Sequence, residues 1–396
     1  MLYDPFDPAF QADPYPAYRE LRDHDPVHRH PRPHYWALSR FEDIWQAVRD
    51  PETFSSAQGL TFLPNEIEAL GLAPTMVMLD PPRHTQLRRL ISAGFTPRRV
   101  AALEDLLRGF VRDRLALMER KTADGETADL HRDFASPIPT FALAHLLGVP
   151  EADRARFDPW VAALVTIQDE GLDLDDEPGV AAVAEMFAYF GSLITARREE
   201  PTDDMISALA AAEIDGDRLT DWDILGFCFV MVAGGNDTTG NLISHAVTLL
   251  DQYPDQRARL VADLGLIPAA LTEFLRVEGS VQALARTTTR PVTIHGTEIP
   301  EGEKVLMLYG SANRDPREFG PTADVLDITR RIPRHLGFAT GPHFCIGSHL
   351  ARLQARVALE ELYLRHPSAG VDLAAARRIS SPFTRGWDAL PAAGLS

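Results

Sequence analysis

Cysteine and lysine are almost absent from this chain. The two cysteines, Cys228 and Cys345, cannot build a disulfide framework and fit a reducing compartment, where each is either structural or chemical. Lysine occurs only as Lys121 and Lys304 against 37 arginines, a bias read as genome composition rather than function. The first eleven residues carry Asp4, Pro5, Asp7 and Pro8 but no basic segment, apolar core or cleavage site, so a signal peptide is not expected. The longest apolar stretch, Ile224 to Ala233, is about half of what spans a bilayer, and a cytoplasmic protein without a membrane partner is the expectation. Positive charge is also short: 39 basic against 57 acidic residues, net -18, disfavours nucleic acid or anionic lipid as partner for the molecule as a whole. What is present is 396 residues with 45% apolar and 24% charged side chains, a globular composition.

Helical periodicity dominates, with no repeat or Gly/Ser linker, so one large and mainly α domain over residues 1–396 with a small β region is expected. Ser39 with Glu42 has the spacing of a capping box ahead of a helix striped by Phe41, Ile44, Trp45 and Val48. Val27 to Leu38 reads as short strands, Phe54 to Leu79 as a long functional loop, and Arg83 to Leu117 and Ser136 to Leu147 as helical. Asp169 to Glu177 reads as a solvated acidic connector. Thr220 with Asp223 caps a helix that continues to Asp251, and its all-apolar part, Ile224 to Val232, places it centrally. Further on, Val292 to Ile294, a His295-Gly296 turn, Thr297 to Ile299 and Val305 to Tyr309 read as a minor sheet.

The chemistry concentrates in the segment Gly337 to Gly347, GFATGPHFCIG, which sets Cys345 in a glycine-rich turn just before a helix running to about Leu364. A thiolate there meets the positive end of the helix dipole, which lowers its pKa and suits it to ligate a metal. Cys228, inside an apolar helix, reads as a buried inert thiol. A zinc site from His343, Cys345 and His349 offers only three ligands at irregular spacing.

The segment resembles the haem-binding loop of the cytochrome P450 family, F-G-x-G-x-[HR]-x-C-x-G, with Ala339 where the first Gly is usual; the turn stays feasible if Ala339 keeps φ below zero. The resemblance implies the P450 fold, a triangular helical prism enclosing haem b (iron protoporphyrin IX) with Cys345 as axial thiolate. Glu273 and Arg276, otherwise an ordinary i,i+3 ion pair, resemble the family's E-x-x-R, with Arg330 the candidate third partner. Ala233-Gly234-Gly235-Asn236-Asp237-Thr238 resembles the oxygen-activating stretch: Gly234 and Gly235 would make room for dioxygen, Thr238 would hydrogen-bond it, and Asp237 would relay protons. For Gly234-Gly235 alone, close approach of another helix is the competing reading. His84, Arg88, Arg286 and His343 match the propionate partners, although each alone is more often a surface group or a satisfied core residue.

The implied reaction is monooxygenation of an apolar small molecule, most simply hydroxylation, with the second oxygen atom leaving as water. A peroxygenase or a non-catalytic haem-binding protein would not need Asp237-Thr238. Because the chain ends soon after the haem region, electrons are expected from a ferredoxin and a ferredoxin reductase using NADH or NADPH, docking over Arg352, Arg356 and Arg89. The family's substrate-contacting segments place Leu60, Phe62, Met78, Phe229, Val230, Ala233, Val281, Leu284 and Phe383 in the pocket wall, against a plain core role for each.

Overall fold

A computed structural model describes residues 3–63, 66, 74–92, 95–157, 159–160, 177–214 and 216–395. The acidic connector at 169–176 and the middle of the long loop, 64–65 and 67–73, lie outside the described residues. The helices that frame the site are α1 (Arg83–Ser92), α2 (Glu104–Ala123), α3 (Pro137–Leu146), α4 (Glu177–Glu199), α5 (Asp221–Gly235), α6 (Asp237–Gln252), α7 (Ile267–Val277) and α8 (Ser348–Arg365).

The innermost helix is α6, in which every residue from Thr239 to Leu250 is buried. Being covered all round, it needs no polar stripe. It packs against α8, which also contacts α2 and α7. From α8, Leu350, Leu353, Val357, Leu359 and Leu362 enter this core, each stabilising by roughly 1.5–3 kcal/mol. Central position thus falls to α6 more than to the all-apolar Ile224–Val232 stretch, where α5 buries Ile224, Phe227, Cys228, Met231 and Val232 only. Burial pushes the Cys228 thiol far above its usual range, as suits an inert core residue.

A second core lies under a five-stranded sheet of β1 (Val27–Pro31), β2 (His34–Leu38), β3 (Phe54–Ser55), β4 (Ala283–Thr288) and β5 (Lys304–Leu308), ordered β1-β2-β5-β4-β3. The β2/β5 pair is parallel with Trp36 opposite Val305, and β4 runs antiparallel to β5 with Arg286 opposite Val305. The hairpin Val292–Ile294/Thr297–Ile299 turns at His295 and Gly296, both at positive φ (51° and 81°), the geometry a tight two-residue turn requires.

Several expectations change. Ser39 does not cap the helix Phe41–Ala47; its first N–H groups are met instead by Asp315, whose Oδ2 accepts from Phe41 N at 3.1 Å. The pattern from Arg83 to Leu117 divides into α1, a short helix Pro97–Ala101, and α2. Strand β4 was not expected, since a strand buried on both faces and containing Arg286 has no alternation to read. Finally, Val180–Glu199 of α4, although interrupted by Glu185, is long and apolar enough to cross a membrane by length and composition alone. Its Met186, Phe190 and Ile194 are buried, and α4 packs on α5.

Candidate functional site: a cysteine loop, a cation cluster and a broken helix

The cysteine loop is closed by Cys345 N–H donating to the Phe338 carbonyl (2.9 Å) and Phe344 N–H to the Gly341 carbonyl (3.1 Å). Gly341 needs its missing side chain twice over: its φ is +71°, and a Cβ would stand 2.8 Å from the Val48 carbonyl. Ala339 contradicts the expectation of negative φ, since it sits at +52°. The loop imposes the left-handed turn that a glycine adopts freely, and an L-residue there costs roughly 1–2 kcal/mol. Ala339→Gly is therefore expected to stabilise the protein by about 1 kcal/mol in urea unfolding; an unchanged or lowered midpoint contradicts this backbone.

Helix α8 begins three residues after Cys345, with Gly347 as its N-cap. The expected lowering of the thiol's pKa does not prevail: burial pushes it up, while the Gly347 N–H and the Arg88 charge pull it down. A cation at the sulfur would add to these two and favour the thiolate. Among the described residues no group of three His, Cys, Asp or Glu side chains is arranged to hold a metal ion.

Around this loop the chain gathers two arginines and two histidines. The His84 and His343 rings lie 4.3 Å apart, and His343 Nε2 is 3.2 Å from Ser56 Oγ. Burial, followed by the charges of Arg286, His84 and Arg88, lowers the His343 pKa to about 3. Arg286 is 3% exposed, and among the described residues its guanidinium hydrogen-bonds only to the adjacent Ala285 carbonyl (2.7 Å). Arg88 donates to the Phe344 carbonyl at 2.5 Å and likewise has no carboxylate in ion-pair range among the described residues. Both ring nitrogens of His84 are buried and unpartnered. A buried guanidinium with spare donors, Arg286, and a buried unpartnered imidazole, His84, are costly, and an anionic group of several oxygens would satisfy them together with Arg88. The two carboxylates of a haem, entering beside Cys345, fit this donor set.

Ser56 and Asp80 belong to the same cluster and were not anticipated: Asp80 accepts from Ser56 N (2.9 Å) and from the Ser55 hydroxyl. They lie on an aperiodic loop, and no local spacing marks them.

Behind the loop, Glu273 and Arg276 are fully buried and joined twice, Nε to Oε2 at 2.7 Å and a terminal nitrogen to Oε1 at 2.8 Å. Arg276 also donates to the carbonyls of Asn313 (2.8 Å) and Ala323 (2.6 Å). Glu273 Oε1 accepts from Asp327 N (3.0 Å) and Arg330 Nε (3.2 Å), so Arg330 stands third in the group. Its neighbour Leu275 presents a carbonyl 2.9 Å from where a Gly337 Cβ would be, setting α7 directly against the cysteine loop.

The expected continuous helix is two, α5 and α6, parted at Asn236 (φ -85°, ψ -66°). The Thr220 and Asp223 capping box at its start is present in both directions. At the break the Thr238 hydroxyl donates to the Gly234 carbonyl (2.8 Å), and Ser280 Oγ donates to the Thr238 carbonyl (2.8 Å). Asp237 Oδ2 accepts from Asn241 Nδ2 at 2.8 Å. The two glycines part ways. Gly234 has open space where a Cβ would be, whereas a Cβ on Gly235 would lie 2.8 Å from the end of the Leu143 side chain of α3, which gives Gly235 a packing reason of its own.

The expected wall residues fall into two groups. Phe62 and Phe383 are buried and stacked on each other (4.9 Å), within the β-side core against which Val281 and Leu284 pack; Leu60 accepts from Ala285 N through its carbonyl (2.6 Å). Phe229 stacks on Phe187 of α4 (5.9 Å), and Phe229 and Ala233 pack against the helical core. Met78 and Val230 are half-buried. For Phe62 and Phe383 the core role is the one realised in this structure.

Of the three arginines expected on the docking face, Arg356 is already neutralised by Glu104 (2.5 Å) and Glu360 (3.0 Å). Arg352 stacks over Phe338 (5.2 Å) and donates to Thr272 (3.0 Å), with no carboxylate in ion-pair range among the described residues, and Arg89 is exposed.

Comparison with known proteins agrees with this geometry. The cytochrome P450 family model matches residues 177–366. Cytochrome P450 130 of Mycobacterium tuberculosis is 49% identical over 364 residues, 90% of this chain and 88% of that one. The cytochrome P450 monooxygenase PikC of Streptomyces venezuelae is 38% identical over 391 residues, 96% and 91% of the two chains. Cytochrome P450 CYP109Q5 from Chondromyces apiculatus superposes with a TM-score of 0.88 at 33% identity, covering 98% and 97%. With the cysteine loop, the buried E-x-x-R and the broken helix in the family's order and the likeness running over nearly the whole length, the chain belongs to the cytochrome P450 family of haem monooxygenases.

Proposed function

We propose that this protein is a cytoplasmic monooxygenase that hydroxylates an apolar small molecule, with Cys345 as the thiolate ligand of haem b and His84, Arg88, Arg286 and His343 as propionate partners. The observation that carries the reading is the convergence of those four residues beside a half-buried cysteine, with neither Arg88 nor Arg286 paired to a carboxylate among the described residues. When bound, the haem supplies activation of dioxygen, the thiolate's electron donation favouring O–O cleavage. The chain's own part is to hold that group, exclude water and deliver protons. Gly234 leaves room next to the break, and Gly347 allows the backbone to pass close to the sulfur.

Asp237 and Thr238 are the proton-handling pair. The Thr238 hydroxyl donates to Gly234 and keeps its acceptor capacity, so it can receive one proton while passing on another. Asn241 holds the Asp237 carboxylate at the first turn of α6. Ala233 and Val230, on the turn before the break, are the substrate-side residues of this helix. Electrons come from NADH or NADPH through a ferredoxin reductase and a ferredoxin that docks over Arg89 and Arg352, the two of the three arginines without an acidic partner among the described residues. Helix α4 serves as a wall of the fold through its buried side.

Thr238→Ala is expected to keep consuming NADH or NADPH while the share ending in product falls several-fold and hydrogen peroxide rises. Product, peroxide and cofactor consumption measured together check this; unchanged coupling removes Thr238 from proton delivery.

A further inference from the structure

The C-terminal segment folds over the N-terminal helix Pro8–Ala12 around a largely buried cluster of charge. Glu278 is its centre: it accepts from Arg385 (2.6 Å), Arg314 (3.1 Å), Arg378 (3.4 Å) and the Tyr15 hydroxyl (2.6 Å). Three guanidinium groups therefore face one carboxylate, and among the described residues the only other carboxylate in ion-pair range is Asp324, 3.9 Å from Arg314. Arg385 spends its donors well, on Glu278 and on the carbonyls of Gln11 (2.5 Å) and Ala12 (2.9 Å).

Arg378 does not. Its two hydrogen bonds are long, 3.4 Å to Glu278 and 3.5 Å to His245 Nε2. The Trp387 ring, 3.8 Å below, fixes the guanidinium in place without accepting its hydrogens. Exposed Asp13 acts on it only at a distance. Beside it is a small cavity, with about 20 Å³ open to a water-sized occupant, lined by Phe10, Tyr18, Arg378, Ser381, Thr384 and Arg385. Ser381 accepts from Phe383 N and Thr384 N and has not committed its own proton. The cavity therefore holds a surplus of positive charge and spare N–H and O–H donors, in a space for one water or one small ion.

We propose that this cavity is a halide site, occupied by chloride in solution, which pins the N-terminal helix to the segment carrying Phe383. A monovalent anion cancels the charge that Glu278 leaves uncompensated, and a halide, unlike a carboxylate or a phosphate, fits the volume. The proposal does not depend on the haem reading.

The test uses the intact protein as purified, at constant ionic strength, in chloride or in gluconate, an anion too large for the cavity. Chloride at about 200 mM is expected to raise the thermal midpoint by about 1–3 °C over gluconate. Arg378→Gln is expected to lose that increment, and Arg378→Lys, which keeps the charge, to retain part of it. Crystals soaked in bromide should give an anomalous peak between Arg378 and Ser381. Equal midpoints in the two salts, or bromide crystals without that peak, overturn the proposal.

Discussion

Arg276→Ala is expected to cost about 3–5 kcal/mol of stability, because it strands the fully buried Glu273 with an uncompensated charge. Arg330 and the Asp327 N–H remain on Glu273 Oε1, but Oε2 loses its partner, and the carbonyls of Asn313 and Ala323 lose theirs. The damage does not stay local. The Leu275 carbonyl lies against Gly337, so a loosened α7 frees the cysteine loop, and haem content should fall along with the urea midpoint. Arg276→Lys keeps the charge but not the two-pronged geometry, and an intermediate loss is expected. A near-native midpoint for Arg276→Ala would show that this pair contributes little.

Arg286→Gln is expected to act in opposite senses on the two forms of the protein. Buried without a carboxylate partner, the guanidinium is a burden to the haem-free chain, which should unfold at an equal or higher urea concentration once the charge is gone. With haem bound, the same substitution deletes a charge-assisted hydrogen bond of about 1.5–3 kcal/mol, or roughly 10- to 100-fold in the rate of haem loss to a scavenger. A residue that only supported β4 would weaken both forms. Equal rates of haem loss in variant and native protein would remove Arg286 from the cofactor site.

The elements that were legible before the structure are those written in contiguous residues. The cysteine loop, the E-x-x-R of α7 and the Asp237-Thr238 pair each lie within a dozen positions, and their resemblance to a family carried the fold with them. Where a function is assembled across the chain, local reading weakened. Ser39 had the spacing of a cap, yet Asp315, 274 positions from Phe41, supplies the hydrogen bond. Ser56 and Asp80 complete the cluster around His343 from a loop without period. Gly234 and Gly235 look alike in sequence, and only the approach of Leu143 separates them. Ala339 is the reverse case: the family pattern marked a position where glycine is usual, and the backbone shows why, since the turn requires positive φ there. The apolar wall was the least legible part, because core and pocket draw on the same side chains and Phe62 and Phe383 satisfy each other by stacking.

The central claim, that Cys345 binds haem iron through its thiolate, is tested most directly by the spectrum of the reduced protein under carbon monoxide, recorded for the native chain and for Cys345→Ser. The account predicts a strongly red-shifted Soret band in the native protein and its loss in the variant, including whatever variant protein still retains haem. A native protein without that band, or a serine variant that keeps it, would contradict the account.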